Sequence, residues 1–322
     1  MASPTTIIPI ASGKGGVGKT LLAANLAIAL ARAGHTTVAV DLDLGGSNLH
    51  TYLGIPNKHP GIGDFLKGKQ LSFRSLALPT EIPNLSFVPG DGKTPFMANI
   101  PPEQRRLLIQ EIMAIPARYV LLDLGAGSSF NTLNFFGITH RAMVVSTFET
   151  AAIMNFLTFL RNFMFRLLTS AFKKNPQVHD QLFNAFRQSG LGKPATVTSL
   201  LDMAARLDPG LADDTRQRLR SYRPRILFNM GENPEELQVC VSLHKSIQTH
   251  LGLDAEFFGF IRYDDTVRRA ARSNGALLQE FPDCPAARCI TALAARIIEH
   301  WDTGWSANPD SLRDDTRNSY RQ

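Results

Sequence analysis

The chain has 322 residues, of which 44% are hydrophobic and 19% charged, and its formal net charge is +6. These proportions exclude a disordered or fibrous chain, and the length allows one or two domains with a buried core. Its three cysteines are too few for a disulfide-rich secreted scaffold, and the chain lacks 18 consecutive apolar residues, so we expect a cytoplasmic protein.

Short apolar runs rich in β-branched residues recur along the chain and predict the strands of a sheet. Because these runs are apolar throughout, both faces of the sheet should be covered by helices. Helical patterns separate most of the runs, and the first spans 19–33. We therefore predict a doubly wound α/β fold with a mostly parallel sheet flanked by helices. The predicted strands are 7–11, 37–42, 85–88, 119–124, 142–147, 225–230 and 257–261.

A long region between the strands predicted at 142–147 and 225–230 carries no strand signal. Its first part, 153–172, has an apolar stripe at helical spacing. The rest, about 173–222, is divided by Pro and Gly into two or three short helices, with breaks at 175–176, 190–194 and 209–210. A structureless loop of this length is improbable, so we predict a helical insertion within a single domain, 1–301. The remainder, 302–322, is polar and aperiodic and predicts a loose tail.

Residues 13–20 read GKGGVGKT and fit G-x-x-x-x-G-K-[ST], the phosphate-binding P-loop, between a predicted strand and a predicted helix. The glycines let backbone N–H groups point at a phosphate, and the helix N-terminus adds a positive dipole. Lys19 should reach the β- and γ-phosphates, and the Thr20 hydroxyl should ligate Mg²⁺. The expected nucleotide-binding residues of this segment are Gly13, Gly15, Gly16, Val17, Gly18, Lys19, Thr20 and Leu21.

The glycines of this segment also fit the dinucleotide pattern G-x-G-x-x-G, with Asp41 at the end of the next strand. Two features disfavour that interpretation. Lys19 and Thr20 have tasks in a P-loop but none in a pyrophosphate-binding turn, and Asp123 ends another strand, where a Walker B carboxylate would support Mg²⁺. Since the chain has no Asn-Lys-x-Asp segment to read guanine, ATP is favoured over GTP.

The extra lysine, Lys14, makes the segment SGKGGVGKT resemble the deviant Walker A motif of the MinD/ParA/FlhG class of ATPases. Three later segments match that class in order. DLDLGGSNL at 41–49 resembles the first switch, and DLGAG at 123–127 resembles the second switch in the form typical of FlhG-like members. Asn229, after Phe228, resembles the position whose side chain contacts adenine. The resemblance covers about 6–300, apart from much of the insertion.

The resemblance implies roles for individual residues. Lys14 would cross a dimer interface to the partner's nucleotide, and Asp43 would orient the attacking water. Asp41 and Asp123 would support Mg²⁺ through its waters, alongside Thr20. These roles fit γ-phosphoryl transfer, which is catalysed by positioning and by neutralising spread negative charge. For each acid the alternative stays open that a carboxylate at a strand end only caps the following turn.

The resemblance implies that the protein is an ATP-driven dimerisation switch. It would hydrolyse ATP slowly and position a cellular structure or division component. Its cofactors would be ATP and Mg²⁺, and its partners a second copy of the chain and a protein that stimulates hydrolysis. Two alternatives stay open. One is a DNA-segregation ATPase of the ParA type, and the other is a metabolic P-loop enzyme that activates a carboxylate or amine.

Two features depart from the class, and a third adds to it. Arg262 stands where a proline commonly precedes Tyr-Asp, and the segment FETAAI at 148–153 lacks the prolines usual there. The arginine-rich segment at 216–225, with Lys193 in the same insertion, is either a solvated helix face or a surface for non-specific contact with DNA phosphates or acidic lipid, peripheral to nucleoid or membrane. Its arginines are Arg216, Arg218, Arg220, Arg223 and Arg225.

Overall fold

The structure is a computed structural model, and it describes residues 4–68, 72–90, 99–188, 195–303 and 309–320. The strands are β1 (Thr6–Ser12), β2 (Thr37–Leu42), β3 (Leu78–Pro79), β4 (Leu85–Val88), β5 (Tyr119–Leu124), β6 (Met143–Ser146), β7 (Arg225–Gly231) and β8 (Glu256–Arg262). They form one sheet in the order β3-β4-β2-β5-β1-β6-β7-β8, in which only the β3–β4 pair is antiparallel within the described ranges.

Helices cover both faces of this sheet, and two short 3₁₀ helices lie at Phe73–Leu76 and Pro234–Gln238. The α-helices are α1 (Lys19–Arg32), α2 (Leu49–Tyr52), α3 (Ile62–Leu66), α4 (Pro102–Met113), α5 (Phe130–Phe136), α6 (Thr150–Ala171), α7 (Pro176–Gln188), α8 (Val197–Ala205), α9 (Pro209–Arg220), α10 (Val239–Leu251), α11 (Thr266–Arg272), α12 (Leu277–Glu280), α13 (Pro285–His300) and α14 (Pro309–Tyr320).

The predicted doubly wound α/β fold is confirmed, and every predicted strand is present with similar bounds. Every residue of β1, β2, β5 and β6 is buried, which explains why these segments are apolar throughout instead of alternating. The sequence analysis missed β3. With two residues it is too short to show an apolar run.

The insertion consists of α7, α8 and α9, which pack against the long helix α6. Its breaks at 175–176 and 209–210 fall where α7 and α9 begin, whereas the break predicted at 190–194 lies outside the described residues. By length and composition alone, α6 could cross a membrane. In this fold its stripe of apolar side chains is buried in the core, formed by Phe156, Phe159, Leu160, Phe163, Met164 and Leu168.

The prediction of a loose tail is wrong for 309–320, because this segment is the helix α14. Leu312 and Thr316 are buried, and Arg317 donates two 2.7 Å hydrogen bonds to the Glu235 carboxylate. The helix contacts β8, which is an edge strand of the sheet, so it shields an edge that would otherwise be open. The inward-facing positions recur every four residues, but two of the three, Thr316 and Tyr320, are polar, so the apolar pattern was too weak to predict a helix.

Candidate functional site

The predicted site residues meet where three neighbouring parallel strands end. The P-loop follows β1, and the register pairs Ile10 of β1 with Asp123 of β5, which in turn pairs with Asp41 of β2. In open α/β sheets, ligands bind at this carboxyl edge of the strands. The topology therefore brings the P-loop and two acids from distant parts of the sequence to one edge of the sheet.

The P-loop backbone adopts conformations that require glycine at two positions. Gly16 and Gly18 have φ angles of +84° and +81°, in the left-handed region that side chains disfavour. The loop lines a cavity of about 280 Å³, into which the turn between β1 and α1 presents its backbone. The other residues around this cavity are Ser12, Asp43, Asn48, Tyr52 and Ala126.

Lys19 and Asp123 form a buried ion pair at the centre of the site. The Lys19 Nζ lies 2.5 Å from Asp123 Oδ1 and 3.3 Å from the Thr20 hydroxyl, and both charged side chains are almost completely buried. Burial raises the pKa of the Asp123 carboxyl, and the attraction of Lys19 opposes this effect. The second oxygen, Asp123 Oδ2, is buried without a hydrogen-bond partner. A buried carboxylate oxygen in this state is suited to a cation or to one of its bound waters.

These residues fit Mg²⁺. Within the described ranges, no group of three or more His, Cys, Asp and Glu side chains could hold a metal ion by itself. Mg²⁺ usually binds through one or two protein ligands together with phosphate oxygens and waters, so a full protein cage is not required. Thr20, which lines the cavity at the P-loop, supplies a hydroxyl of that kind, and Asp123, bonded to Lys19 next to it, supplies a carboxylate. We refer to this cavity as the phosphate cavity.

Asp41 is fully buried, and both of its oxygens accept backbone hydrogen bonds. Oδ1 accepts the N–H of Asp43 and Oδ2 that of Leu49, each at 3.1 Å. Burial, and next to it the charge of Asp123, raise the pKa of Asp41 to about 7. Asp41 therefore fixes the shape of the first-switch loop, and the geometry favours the loop-capping role over a metal-supporting role.

Asp43 and Lys14 lie at the mouth of the site. Asp43 is half-buried, and a methyl group placed on Gly125 would lie 3.2 Å from its Oδ1, so this carboxylate rests against the second switch. Lys14 is exposed, and only its backbone carbonyl is engaged, by the Ser12 hydroxyl at 2.9 Å. Its ammonium makes no hydrogen bond or ion pair with the part of the chain that the structure describes.

Asn229 ties the P-loop to β7. Its Nδ2 donates a buried 2.8 Å hydrogen bond to the carbonyl of Val17, and it would lie 2.3 Å from a methyl group on Gly18. A second cavity of about 260 Å³ adjoins the loop here. Besides Asn229, its polar and apolar lining includes Tyr52, Met230, Arg262, Tyr263 and Arg268. The sequence analysis missed Tyr52 and Met230, whose side chains form no motif.

The arginine-rich segment is not a continuous basic surface. Arg225 is completely buried, with its Nε 2.7 Å from Glu256 Oε2 and its guanidinium between the rings of Phe258 and Trp301. Its assignment to the surface was wrong, because β7 begins at this residue.

The other arginines of this segment lie in α9 and just beyond it, and not all of them are free to contact an anionic surface. Arg216 pairs with Asp202 and Asp213, and Arg223 pairs with Asp254. Arg218 and Arg220 are exposed, and Lys193 lies outside the described residues. The exposed pair lies near the start of β7, opposite the carboxyl edge that holds the P-loop.

Comparisons with known proteins were made for sequence and for structure. The family model described as the CobQ/CobB/MinD/ParA nucleotide binding domain matches residues 8–277. The chain is 26% identical over 310 residues to the antiactivator FleN of Pseudomonas aeruginosa, an alignment that covers 95% of this chain and 90% of FleN. It is 33% identical over 147 residues to the septum site-determining protein MinD of Bacillus subtilis, which covers 45% of this chain and 54% of that protein.

Solved structures share the fold over most of their length. The septum site-determining protein MinD from Pyrococcus horikoshii, complexed with Mg-ADP, gives a TM-score of 0.60 at 19% identity and covers 91% of this chain and 96% of that one. A ParA family ATPase from Chlorobium tepidum gives a TM-score of 0.57 at 16% identity, covering 91% and 99%. At these identities the structural similarity shows the fold alone.

Proposed function

Since the chain belongs to the CobQ/CobB/MinD/ParA nucleotide-binding family, as the resemblance of its four motifs predicted, we propose that it is a cytoplasmic, Mg²⁺-dependent ATPase that acts as a dimerisation switch. The switch positions a cellular structure or a division component, and a partner protein stimulates its hydrolysis. The observation that carries the proposal is the buried ion pair of Lys19 and Asp123, with the half-buried Thr20 beside it, at the phosphate cavity. Asp43 and Lys14 lie at the mouth of this cavity.

Each of these residues has a task that its position suits. Lys19 would stabilise negative charge on the phosphates, and Thr20 and Asp123 would hold Mg²⁺, which would neutralise charge on the transferred group. Asp43 is half-buried beside the cavity, and its carboxylate accepts a proton from water and orients it. Asp41 shapes the loop that carries Asp43, because its Oδ1 accepts the Asp43 backbone N–H.

The position of Lys14 supports the proposal of a dimer. Lys19 already serves the phosphates from within the chain, whereas the Lys14 ammonium is exposed beside the same loop. A second copy of the chain would bring its nucleotide within reach of this ammonium, and contact with the γ-phosphate would make the dimer depend on ATP. Hydrolysis would then release the partner.

The two alternatives have less support. A ParA-type motor would bind DNA through the arginine-rich segment, but only Arg218 and Arg220 of its five arginines are exposed without an ion pair among the described residues. A metabolic enzyme would need a polar substrate pocket in the insertion. In the described part of the insertion, Phe186 instead stacks on Phe165 of α6, with ring centroids 3.7 Å apart.

The first prediction concerns Asp43. In Asp43→Ala, steady-state ATP hydrolysis should fall by about 10²-fold or more, as for loss of a positioned general base, while ATP still binds. Lys19→Ala should abolish nucleotide binding, measured with a fluorescent ATP analogue. Asp283→Ala, an exposed acid far from the site in sequence, is the matched control and should leave hydrolysis unchanged. Wild-type hydrolysis by Asp43→Ala would show that another group orients the water.

The second prediction concerns the dimer. In light scattering, Asp43→Ala with ATP should have twice the mass that it has with ADP, because only ATP offers a γ-phosphate to the partner's Lys14. Adding Lys14→Ala should return the mass to that of a monomer, whereas Lys245→Ala, another exposed lysine, should not. Equal masses in the two nucleotides would contradict the switch, and so would a dimer that persists without Lys14.

A further inference from the structure

A cavity of about 290 Å³ lies beneath the C-terminal helix, away from the phosphate cavity. Its walls come from the edge strand β8, from α13 and from α14, so the folding of the C-terminal segment creates it. We refer to it as the α14 cavity. The residues that line it include Phe260, Arg262, Arg288, Cys289, Arg296, Leu312, Asp315 and Tyr320.

The α14 cavity has an excess of positive charge. The described residues that line it include three arginines, Arg262, Arg288 and Arg296, and one carboxylate, Asp315, which lies 3.6 Å from Arg296. Arg262 and Arg288 are also exposed to solvent, so their charges lie at the opening of the cavity. Neither Arg262 nor Arg288 forms an ion pair with any carboxylate in the described ranges. Arg262 lies over the ring of Tyr320 at 4.4 Å, which holds its planar group in place.

Part of the remaining lining is apolar, although Thr316 and Tyr320 add hydroxyl groups. Phe260 and Leu312 are buried, and the carbon surface of Leu293 continues from them. Guanidinium groups match the geometry of carboxylates and phosphates, and unpaired positive charge in a concave site raises the local concentration of anions. The volume is near the lower end of the range for small-molecule sites. A ligand that suits both halves of the lining has an anionic head and a small apolar body.

We propose that the α14 cavity is a second ligand site that binds a small organic anion, a phosphate monoester or a carboxylate with an apolar body. Arg262 lines this cavity and also the 260 Å³ cavity beside Asn229. A ligand that engages Arg262 therefore changes the affinity of the neighbouring nucleotide pocket, and by linkage the nucleotide changes the affinity for the anion equally. The anion site itself does not depend on hydrolysis or on dimerisation.

Calorimetric titration tests this site directly. The intact chain is first saturated with Mg-ADP, so that the P-loop cannot take up the added anion. Phenyl phosphate and benzoate are then titrated separately, which distinguishes a phosphate head from a carboxylate head. At least one should bind, and Arg288→Gln and Arg262→Gln should each weaken it about tenfold, as expected for loss of a charge-assisted hydrogen bond. Arg272→Gln, an exposed arginine of α11 outside the cavity, is the matched control.

Two results would overturn the site. One is that neither anion binds the wild-type chain up to millimolar concentration, and the other is that Arg288→Gln and Arg262→Gln bind as tightly as wild type. The coupling is tested separately by titrating Mg-ADP with and without the bound anion. If the ADP affinity is unchanged, the proposed link through Arg262 is wrong while the anion site stands.

Discussion

The close contact between Gly13 and the first turns of α6 predicts that the P-loop cannot accept a methyl group at this position. A Cβ on Gly13 would lie 2.3 Å from the carbonyl oxygen of Asn155 and 2.6 Å from the backbone nitrogen of Phe156. Ordinary van der Waals contacts begin near 3.4 Å, so the loop and the helix would have to separate by about 1 Å. No side-chain rotation can relieve this overlap, because the atoms involved are backbone.

The expected cost of Gly13→Ala is that of overpacking a rigid site, about 2–3 kcal/mol of the free energy of unfolding. Gly15→Ala is the matched control, since a Cβ there would meet nothing within 4 Å, and Gly15 is not among the glycines with positive φ. This control should be close to neutral for stability, or stabilise by up to about 1 kcal/mol through the unfolded chain.

Urea denaturation of the nucleotide-free proteins measures both changes. The Gly13→Ala midpoint should fall clearly below that of wild type and of Gly15→Ala, at unchanged slope. Equal midpoints for the two variants would show that the P-loop and α6 move apart freely, and the argument from close packing would then be wrong.

Two further predictions concern buried charges. Arg225→Met should lower the free energy of unfolding by about 3–5 kcal/mol because it leaves the Glu256 carboxylate buried and unpaired. The double variant Arg225→Met/Glu256→Leu should recover much of that loss. Urea denaturation measures both variants, and additive effects of the two substitutions would contradict the pairing. Since burial raises the pKa of Asp41 to about 7, the folded chain keeps a proton between pH 4 and 7 that the unfolded chain releases, so stability should fall as pH rises through this range and level off above it. The largest change in the free energy of unfolding expected from this effect is ~4 kcal/mol. Asp41→Asn should make stability nearly independent of pH in this range. If stability in Asp41→Asn varies with pH as in wild type, the raised pKa of Asp41 is wrong.

Most of the site could be predicted from the sequence because its signals are local. The P-loop is a contiguous segment whose glycines, lysine and threonine each have a fixed task, and the acids stand directly at the ends of apolar strands. The parallel sheet then brings these strand ends together without further information. Lys19, Thr20 and Asp123 therefore meet as the spacing predicts.

The features that the sequence could not show depend on contacts between distant segments. The sequence predicts that a strand starts at Arg225, but the neighbouring arginines give no sign that this one is buried and paired with Glu256. The role of Asp41 depends on two backbone N–H groups whose directions only the folded loop defines. Helix α14 is stabilised largely by polar contacts, such as Arg317 with Glu235, which an apolar periodicity does not report.

The same distant contacts explain how the fold tolerates the long insertion. The insertion starts where α6 ends and stops where β7 begins, and each of these elements touches the P-loop. Near the start of α6 the backbone of Asn155 packs on Gly13, and from β7 the side chain of Asn229 bonds to Val17. The insertion joins the opposite ends of these two elements, and its three helices pack on α6. Helix α6 therefore contacts the P-loop with its first turns and supports the insertion along the rest of its length.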